Sequence, residues 1–260
     1  MRSLVGLPAW VVLVVTAALC SALAVGSRRL LRARLGDDTE KASLVAGPLM
    51  PALGAVFALL AATTLSTEAA QFRSAEDNVS AEAAAASRLA WAATSPGIDS
   101  STIHRELAAY LQATRADEWS GGDRDGDPRV MRTLSALERT VRSESAQKVV
   151  GSAQGGELLG ALDSLTTLRR QRLATGSNDL PDLYLIVVLV SGLALVANSA
   201  ALAVAHRRRL AALTAGLVIV VALSLALLVA ISSPFRGGFI ANGGPIDAVH
   251  GNLVAGDFHP

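Results

Sequence analysis

Cysteine is almost absent from this chain of 260 residues, which contains only Cys20. A single cysteine excludes an internal disulfide bond and any metal site built from several thiolates. Cys20 lies in a run of apolar residues, where a free cysteine is usually a small buried hydrophobic residue. A lipid-anchored cysteine is the alternative, but Leu19 stands where such a signal has a small residue. We therefore expect Cys20 to be buried.

Charged residues are also scarce. They make up 17% of the chain, against about 25% in an ordinary soluble domain, whereas apolar residues reach 51% and the mean hydropathy is +0.42. This balance indicates a membrane protein, with the lipid bilayer as its first partner. The net charge of only +1 and the lack of a basic patch interleaved with aromatic residues argue against nucleic-acid binding.

Four apolar runs are long enough to cross a bilayer as helices. They cover residues 4–25, 42–65, 183–205 and 210–231. A cleaved signal peptide is the alternative for the first run, with Ala22-Leu23-Ala24 as the cleavage site. The run is longer than a typical signal sequence and is followed by arginines, so we predict that it is a retained span.

The second run differs from the others because it contains two prolines and then continues, without a stop signal, into an alanine-rich polar stretch over residues 66–93. We predict one helix through both parts. A proline removes a hydrogen bond within a helix and kinks it, either at a helix–helix contact or at a bend that lines a pore. Asn198 in the third run has the same two alternatives, a hydrogen bond to a neighbouring helix or a place in a conduction path. The candidate pore or kink residues are Pro48, Pro51, Gly54, Phe57 and Asn198.

The middle of the chain has the pattern of soluble helices. Apolar residues three or four positions apart predict helices over residues 66–93, 100–119, 128–143 and 146–174, with Asp99 and Asp127 as N-caps. Trp91 is expected to fill the seam of the first of these helices. The predicted core comprises Phe72, Val79, Leu89, Leu107, Leu111, Leu134, Leu137, Leu162 and Leu165.

These elements predict an all-α fold: four transmembrane helices with a polar helical bundle inserted between spans 2 and 3. The predicted divisions are residues 1–65 (spans 1 and 2 with a basic loop), 66–182 (the extramembrane bundle), 183–231 (spans 3 and 4) and 232–260 (a short tail). A disordered glycine-rich tail is the expectation beyond Gly243.

No residues have the spacing of a catalytic or metal site. His104 has no second ligand at a suitable distance in sequence, and no nucleophile has a neighbouring base. Residues 123–128 begin like a calcium loop, but Pro128 and Leu134 stand where that loop requires glycine and glutamate. We therefore expect a solvated turn there, and a protein that is not an enzyme and has no cofactor.

Three arginines are predicted in the last turn of the fourth bundle helix: Arg169, Arg170 and Arg172. Cations are favourable at a helix C-terminus because they match the helix dipole, so a solvated cationic end is one interpretation. The alternative is a ring near the membrane surface that attracts anions.

Basic residues flank the predicted spans. Short loops rich in Lys and Arg stay in the cytoplasm. We therefore predict a multi-pass protein of the cell membrane, with both termini and residues 66–182 outside the cytoplasm. The cytoplasmic anchors of the two loops are Arg28, Arg29, Arg32, Arg34, Arg207, Arg208 and Arg209, with Lys41 adding to the first loop.

Several short motifs follow one another in order along nearly the whole chain. After the second span come Glu82-Ala83, Tyr110, Glu118-Trp119, Arg169, Arg172-Leu173 and, beyond the last span, Pro234-Phe235-Arg236-Gly237. In this order and spacing they resemble the bestrophin-like family of four-span bacterial membrane proteins. The last motif is expected to fold back onto the outer ends of the spans.

The resemblance implies a homo-oligomer, since bestrophins are pentameric anion channels, and it supplies no catalytic residues. Two functions remain open. One is an oligomeric ion channel or transport protein with the second span along the path, and the other is a non-transporting membrane scaffold or sensor whose bundle binds a partner. Bestrophins hold their long helices and termini in the cytosol, whereas the basic loops of this chain predict the opposite orientation.

Overall fold

A computed structural model describes residues 9–35, 39–119, 126–177, 182–205, 209–231 and 240–259. These residues form eight α-helices and one π-helical turn, and none of them is in a strand, so the predicted all-α class is confirmed. In chain order the elements are α1 (Ala9–Leu35), α2 (Thr39–Ala93), α3 (Ser100–Ala113), the π turn (Thr114–Glu118), α4 (Pro128–Ser145), α5 (Ser152–Ser177), α6 (Asp182–Ala205), α7 (Arg209–Ile231) and α8 (Gly244–Ala255).

The helices divide into two compact units. The apolar unit contains α1, α2 as far as Ala70, α6 and α7. The polar unit contains α2 from Gln71 onwards, α3, the π turn, α4, α5 and α8. The predicted continuity of α2 is confirmed, because one helix of 55 residues contains Pro48, Pro51 and the whole polar stretch that follows. At 1.5 Å per residue this helix is about 82 Å long.

Three helices contain stretches that are long and apolar enough to cross a bilayer. These stretches are Leu13–Leu30 in α1, Ala46–Ala93 in α2 and Tyr184–Ala203 in α6, and α7 contains a shorter apolar stretch, Thr214–Val229. Large apolar side chains such as Trp10, Leu19 and Val190 are exposed on these helices. This is the distribution expected where lipid is the solvent.

The interior of the apolar unit is built from close packing. Cys20 is buried, as predicted, and Phe57 packs with residues of α6 and α7. A Cβ atom on Gly192 would lie 3.0 Å from both the Phe57 ring and Val221, so a larger residue there would force these side chains to shift. Asn198 donates from Nδ2 to the carbonyl oxygen of Ala46 at 3.0 Å. It therefore forms the predicted helix–helix hydrogen bond, between α6 and α2.

The polar unit has the predicted core with two exceptions. Eight of the nine predicted residues are buried, and Phe72 is only half-buried. The prediction for Trp91 is wrong, because its side chain is 53% exposed and meets the ring of Phe258 edge-on at 5.3 Å. Trp91 comes two positions after buried Leu89, which turns it to the opposite side of an α-helix.

The helix boundaries are largely as the sequence predicts. Asp99 accepts a hydrogen bond from the Thr102 amide and caps α3, and Asp127 caps α4. Hydrogen bonds from the side chains of Thr102 and Ser101 lower the pKa of Asp99 to about 2. The fourth bundle helix begins at Ser152 rather than 146, because the chain turns before Gly151, and it continues to Ser177.

The expectation of a disordered tail beyond Gly243 is wrong. Residues 244–255 form α8, with Ile246, Val249 and Leu253 buried in the core of the polar unit. The sequence contains the signals for this helix: a proline in the first turn, apolar residues on one face and a glycine, Gly256, at the end. In the structure Gly256 has a φ of +76°, the left-handed conformation that ends many helices. The Pro234-Phe235-Arg236-Gly237 motif lies outside the described residues.

Candidate functional site

Four charged side chains meet in the interior of the polar unit. They are Glu82 of α2, Glu118 of the π turn, and Arg169 and Arg172 of α5, and each is at most 8% exposed. We call these four residues the ion-pair cluster. Its two carboxylates balance its two guanidinium groups, which is what burial of so many charges requires.

Arg172 is at the centre of the cluster. Its Nε donates to Glu82 Oε2 and its Nη2 to Glu118 Oε2, each at 2.5 Å. Burial alone would lower the pKa of Arg172, but the charges of Glu82 and Glu118 and the hydrogen bond to Glu82 outweigh burial and raise it. The guanidinium therefore stays charged and joins α5 to both α2 and the π turn.

Arg169 completes the cluster but uses its donors less fully. Its Nη2 donates to Glu118 Oε1 at 2.5 Å, and its Nη1 lies 3.3 Å from the sulfur of Met131. Its Nε has no acceptor in the described part of the chain. A thioether is a weak acceptor, so this buried guanidinium retains donor capacity.

Tyr110 of α3 forms a hydrogen bond to the cluster. Its hydroxyl donates to Glu82 Oε1 at 2.5 Å, and its side chain is fully buried. Burial, and after it the negative charge of Glu82, raise the pKa of Tyr110 well above its ordinary value, although Arg172 opposes this. Tyr110 is therefore a neutral donor that fixes the position of the Glu82 carboxylate.

Trp119 connects the cluster to α8. Its Nε1 donates to the carbonyl oxygen of Ala241 at 3.0 Å, and the guanidinium groups of Arg172 and Arg115 lie 5.1 and 5.0 Å from its ring centroid. These distances are within the range of cation–π attraction. Arg115 in turn pairs with Asp247 of α8 at 2.8 Å. The C-terminal helix is thus held against the residues that surround the cluster.

The π turn explains how Glu118 reaches the cluster. In an α-helix, residues four apart drift around the axis by about 40° per step. The wider π turn reduces that drift, so Tyr110, Thr114 and Glu118 are all buried at steps of four residues. Helical turns of this kind are rare and occur often at functional positions.

Gly126 lies against the cluster. Its φ is +86°, and a Cβ atom there would lie 2.7 Å from Arg169 Nη2 and 3.3 Å from Glu118 Oε1. Both the left-handed backbone and the lack of space require glycine. The chain therefore contacts the ion pair directly through its backbone at this position.

The structure brings together six of the motif residues taken from the sequence: Glu82, Tyr110, Glu118, Trp119, Arg169 and Arg172. The interpretation of Arg169 and Arg172 as a solvated helix end or an anion-attracting ring is wrong, because both are buried in ion pairs and α5 continues beyond them. Arg170 between them is exposed. Pro234, Phe235 and Gly237 lie outside the described residues.

The other predicted residues are dispersed. Pro48 and Pro51 are exposed and Gly54 has no neighbour within 4 Å of a Cβ position, whereas Phe57 is packed inside the apolar unit. Among the proposed anchors, Arg28, Arg29, Arg32 and Arg34 lie in the last part of α1, and Arg209 is the first residue of α7. Arg207 and Arg208 are outside the described residues. His104 is partly exposed, as predicted, and bonds through Nε2 to the Ala90 carbonyl oxygen at 2.9 Å.

Comparison with known proteins agrees with this fold. The bestrophin-like domain profile matches residues 10–242. A point variant of a bacterial bestrophin homologue from Klebsiella pneumoniae superposes with a TM-score of 0.69 at 13% identity, covering 93% of this chain and 99% of the homologue. A second solved structure, described as a membrane protein, superposes with a TM-score of 0.71 at 13% identity, covering 95% of this chain and 99% of that structure's chain. No curated protein sequence matches the chain.

The fold and the apolar helices are those of an integral membrane protein, and the chain belongs to the bestrophin-like family. The identity to the solved structures is low, so the likeness to them concerns the fold. The ion-pair cluster joins α2, the π turn and α5, and both of its carboxylates are paired with guanidinium groups. Its chemistry is that of a clamp between helices.

Tyr110 gives the cluster a dependence on alkaline pH. In the unfolded chain a tyrosine ionises near pH 10, while in the folded protein the raised pKa keeps Tyr110 protonated. The folded state then binds one proton more than the unfolded state, so stability should fall as the pH rises above about 10. Thermal unfolding of wild type and Tyr110→Phe between about pH 9 and 11 should show a shallower fall in the variant. Equal slopes would mean that Tyr110 does not carry this dependence.

Proposed function

We propose that this chain assembles into a homo-oligomeric ion channel of the cell membrane, in which one face of α2 lines the conduction path. Family membership supports a channel, since bestrophins are known as ion channels. The observation that carries the proposal is a face of α2 that the rest of the described chain leaves uncovered.

This uncovered face is mostly small and uncharged. Residues three or four positions apart lie on one side of a helix, and on this side all except Leu59 are small or hydroxyl-bearing and none carries a charge. The members of the uncovered face are Pro48, Pro51, Ala52, Ala55, Ala58, Leu59, Ala62, Thr63 and Ser66, all of them exposed. On the opposite side, Ala46, Phe57 and Thr64 are buried.

The composition favours other copies of the chain, and not lipid, as the neighbours of this face. Lipid-facing positions of α1 carry large side chains such as Trp10, Val14 and Leu19. Small residues instead allow helices to approach closely, and the hydroxyls of Thr63 and Ser66 offer polar atoms to a hydrated path. Phe57 and Asn198 do not belong to this face, so the proposal leaves them as packing residues.

The proposed channel has four spans, with α7 as the fourth. At 1.5 Å per residue its 23 residues extend about 35 Å, which exceeds the roughly 30 Å of a hydrocarbon core. With four spans, both basic loops lie on one side of the membrane. The positive-inside rule then favours the cytoplasm for Arg28, Arg29 and Arg209, and the outer side for the polar unit.

The orientation can be measured with one cysteine in a Cys20→Ala background. Gln112 is exposed on α3 of the polar unit, so Gln112→Cys should react with a membrane-impermeant thiol reagent in intact cells. A cysteine in place of Lys41, near the start of α2, should react only after lysis. The reverse pattern would place the polar unit in the cytosol and contradict the proposed orientation.

The channel proposal is tested by purifying the full chain, determining its oligomeric state in detergent and measuring ion flux in liposomes with several salts. An oligomer with flux above that of empty liposomes is the expected result. A monomer without flux would reject the channel and favour the alternative, a non-transporting scaffold or sensor whose bundle binds a partner.

A further inference from the structure

A second feature of the polar unit lies on the exposed side of α4. Met131, Arg132, Ser135 and Arg139 line an open groove with a volume of about 410 Å³. The groove residues lie on one side of α4, while Val130, Leu134 and Leu137 on the other side are buried in the core.

The groove is lined by two positively charged side chains. Arg132 and Arg139 are both exposed, and neither forms an ion pair within the described part of the chain. Glu138 is next to Arg139 in sequence but does not line the groove. Two guanidinium groups with no carboxylate between them leave a site whose charge is available to an anion.

Met131 links the groove to the ion-pair cluster. Met131, which lines the groove, also contacts Nη1 of Arg169 at 3.3 Å, and Arg169 is 3% exposed with no acceptor for its Nε in the described residues. A third guanidinium therefore lies in contact with one of the residues that line the groove.

We propose that the groove on α4 binds a phosphate group, held by Arg132 and Arg139 with the Ser135 hydroxyl between them. Arg132 and Arg139 are seven residues apart, or about two helical turns, and Ser135 lies between them on the same side. A guanidinium matches the geometry of phosphate oxygens. A phosphate has enough oxygens for two guanidinium groups and a hydroxyl.

The phosphate group has two sources, free phosphate and the headgroup of an anionic lipid, and the test separates them. Full-length protein in maltoside micelles, which contain no phosphate, is titrated calorimetrically with inorganic phosphate and, separately, with short-chain phosphatidic acid. The test variant is Arg132→Gln with Arg139→Gln. The control variant is Arg88→Gln with Arg105→Gln, which removes two exposed arginines from α2 and α3 and gives the same net charge.

The groove variant should weaken binding of at least one probe about tenfold or more, since each lost charged contact is worth about a decade of affinity. The control should change it by less than about twofold. Binding of both probes would show that free phosphate is sufficient for binding to the groove. Binding of phosphatidic acid alone would show that the ligand is a lipid headgroup. Equal weakening in both variants, or no binding of either probe, would overturn the proposal.

Discussion

Replacing Arg172 by methionine should lower the stability of the folded protein by about 3–5 kcal/mol, the cost of breaking a buried ion pair by removing one partner. Methionine is similar in length but leaves Glu82 buried without its guanidinium and Glu118 with only Arg169. Two carboxylates would then share one cation in the interior of the polar unit. The effect should appear as a large drop in the unfolding temperature, measured by tryptophan fluorescence in nanodiscs.

The neighbouring Arg170→Met is the matched control, because Arg170 is exposed on the same helix and bonds only to residues of its own turn. Its unfolding temperature should stay close to that of wild type. Adding Glu82→Gln to Arg172→Met should recover part of the loss, since the uncompensated charge is removed. Equal effects of Arg172→Met and Arg170→Met would show that the cluster does not stabilise the fold.

Gly126→Ala should have the second-largest effect. A non-glycine residue in the left-handed region costs about 1–3 kcal/mol, and the added Cβ would lie 2.7 Å from Arg169 Nη2. Arg169 cannot move aside cheaply, because its guanidinium is buried and paired with Glu118. The free-energy cost of the strained backbone and the cost of displacing the ion pair should therefore add.

Gly156→Ala is the control for this substitution. Gly156 lies inside α5 with no atom within 4 Å of a Cβ position, and alanine there should raise stability by up to about 1 kcal/mol through its better helix propensity. Opposite shifts of the unfolding temperature in the two alanine variants are expected. A Gly126→Ala protein as stable as wild type would contradict the described position of Gly126 against Arg169.

Periodicity and capping were sufficient to predict most of the fold. Val79, Leu107 and Leu137 fall on predicted apolar faces and are buried, and both aspartate caps are in place. These features depend on residues a few positions apart. α8 was missed, although Ile246, Val249 and Leu253 have helical spacing, because the glycines around it favoured a disordered tail.

The ion-pair cluster could not be predicted from local spacing. Glu82 and Arg172 are 90 residues apart, and Glu118 and Arg172 are 54 apart, so only the tertiary fold brings them together. A local rule places arginines near a helix end in solvent. The one local signal was Glu82 itself, which lies between buried Val79 and Ala86 on the inner side of α2, where an acid requires a cationic partner.

The central claim is that the uncovered face of α2 lines an ion path, and cysteine modification during flux measurement tests it most directly. In a Cys20→Ala background, Ala55→Cys places a thiol on that face, and Ile219→Cys places one at an exposed position of α7. A charged, water-soluble thiol reagent should strongly reduce flux through the Ala55→Cys channel and leave the Ile219→Cys channel unchanged. Flux that is unaffected in Ala55→Cys, or reduced equally in both variants, would contradict the claim.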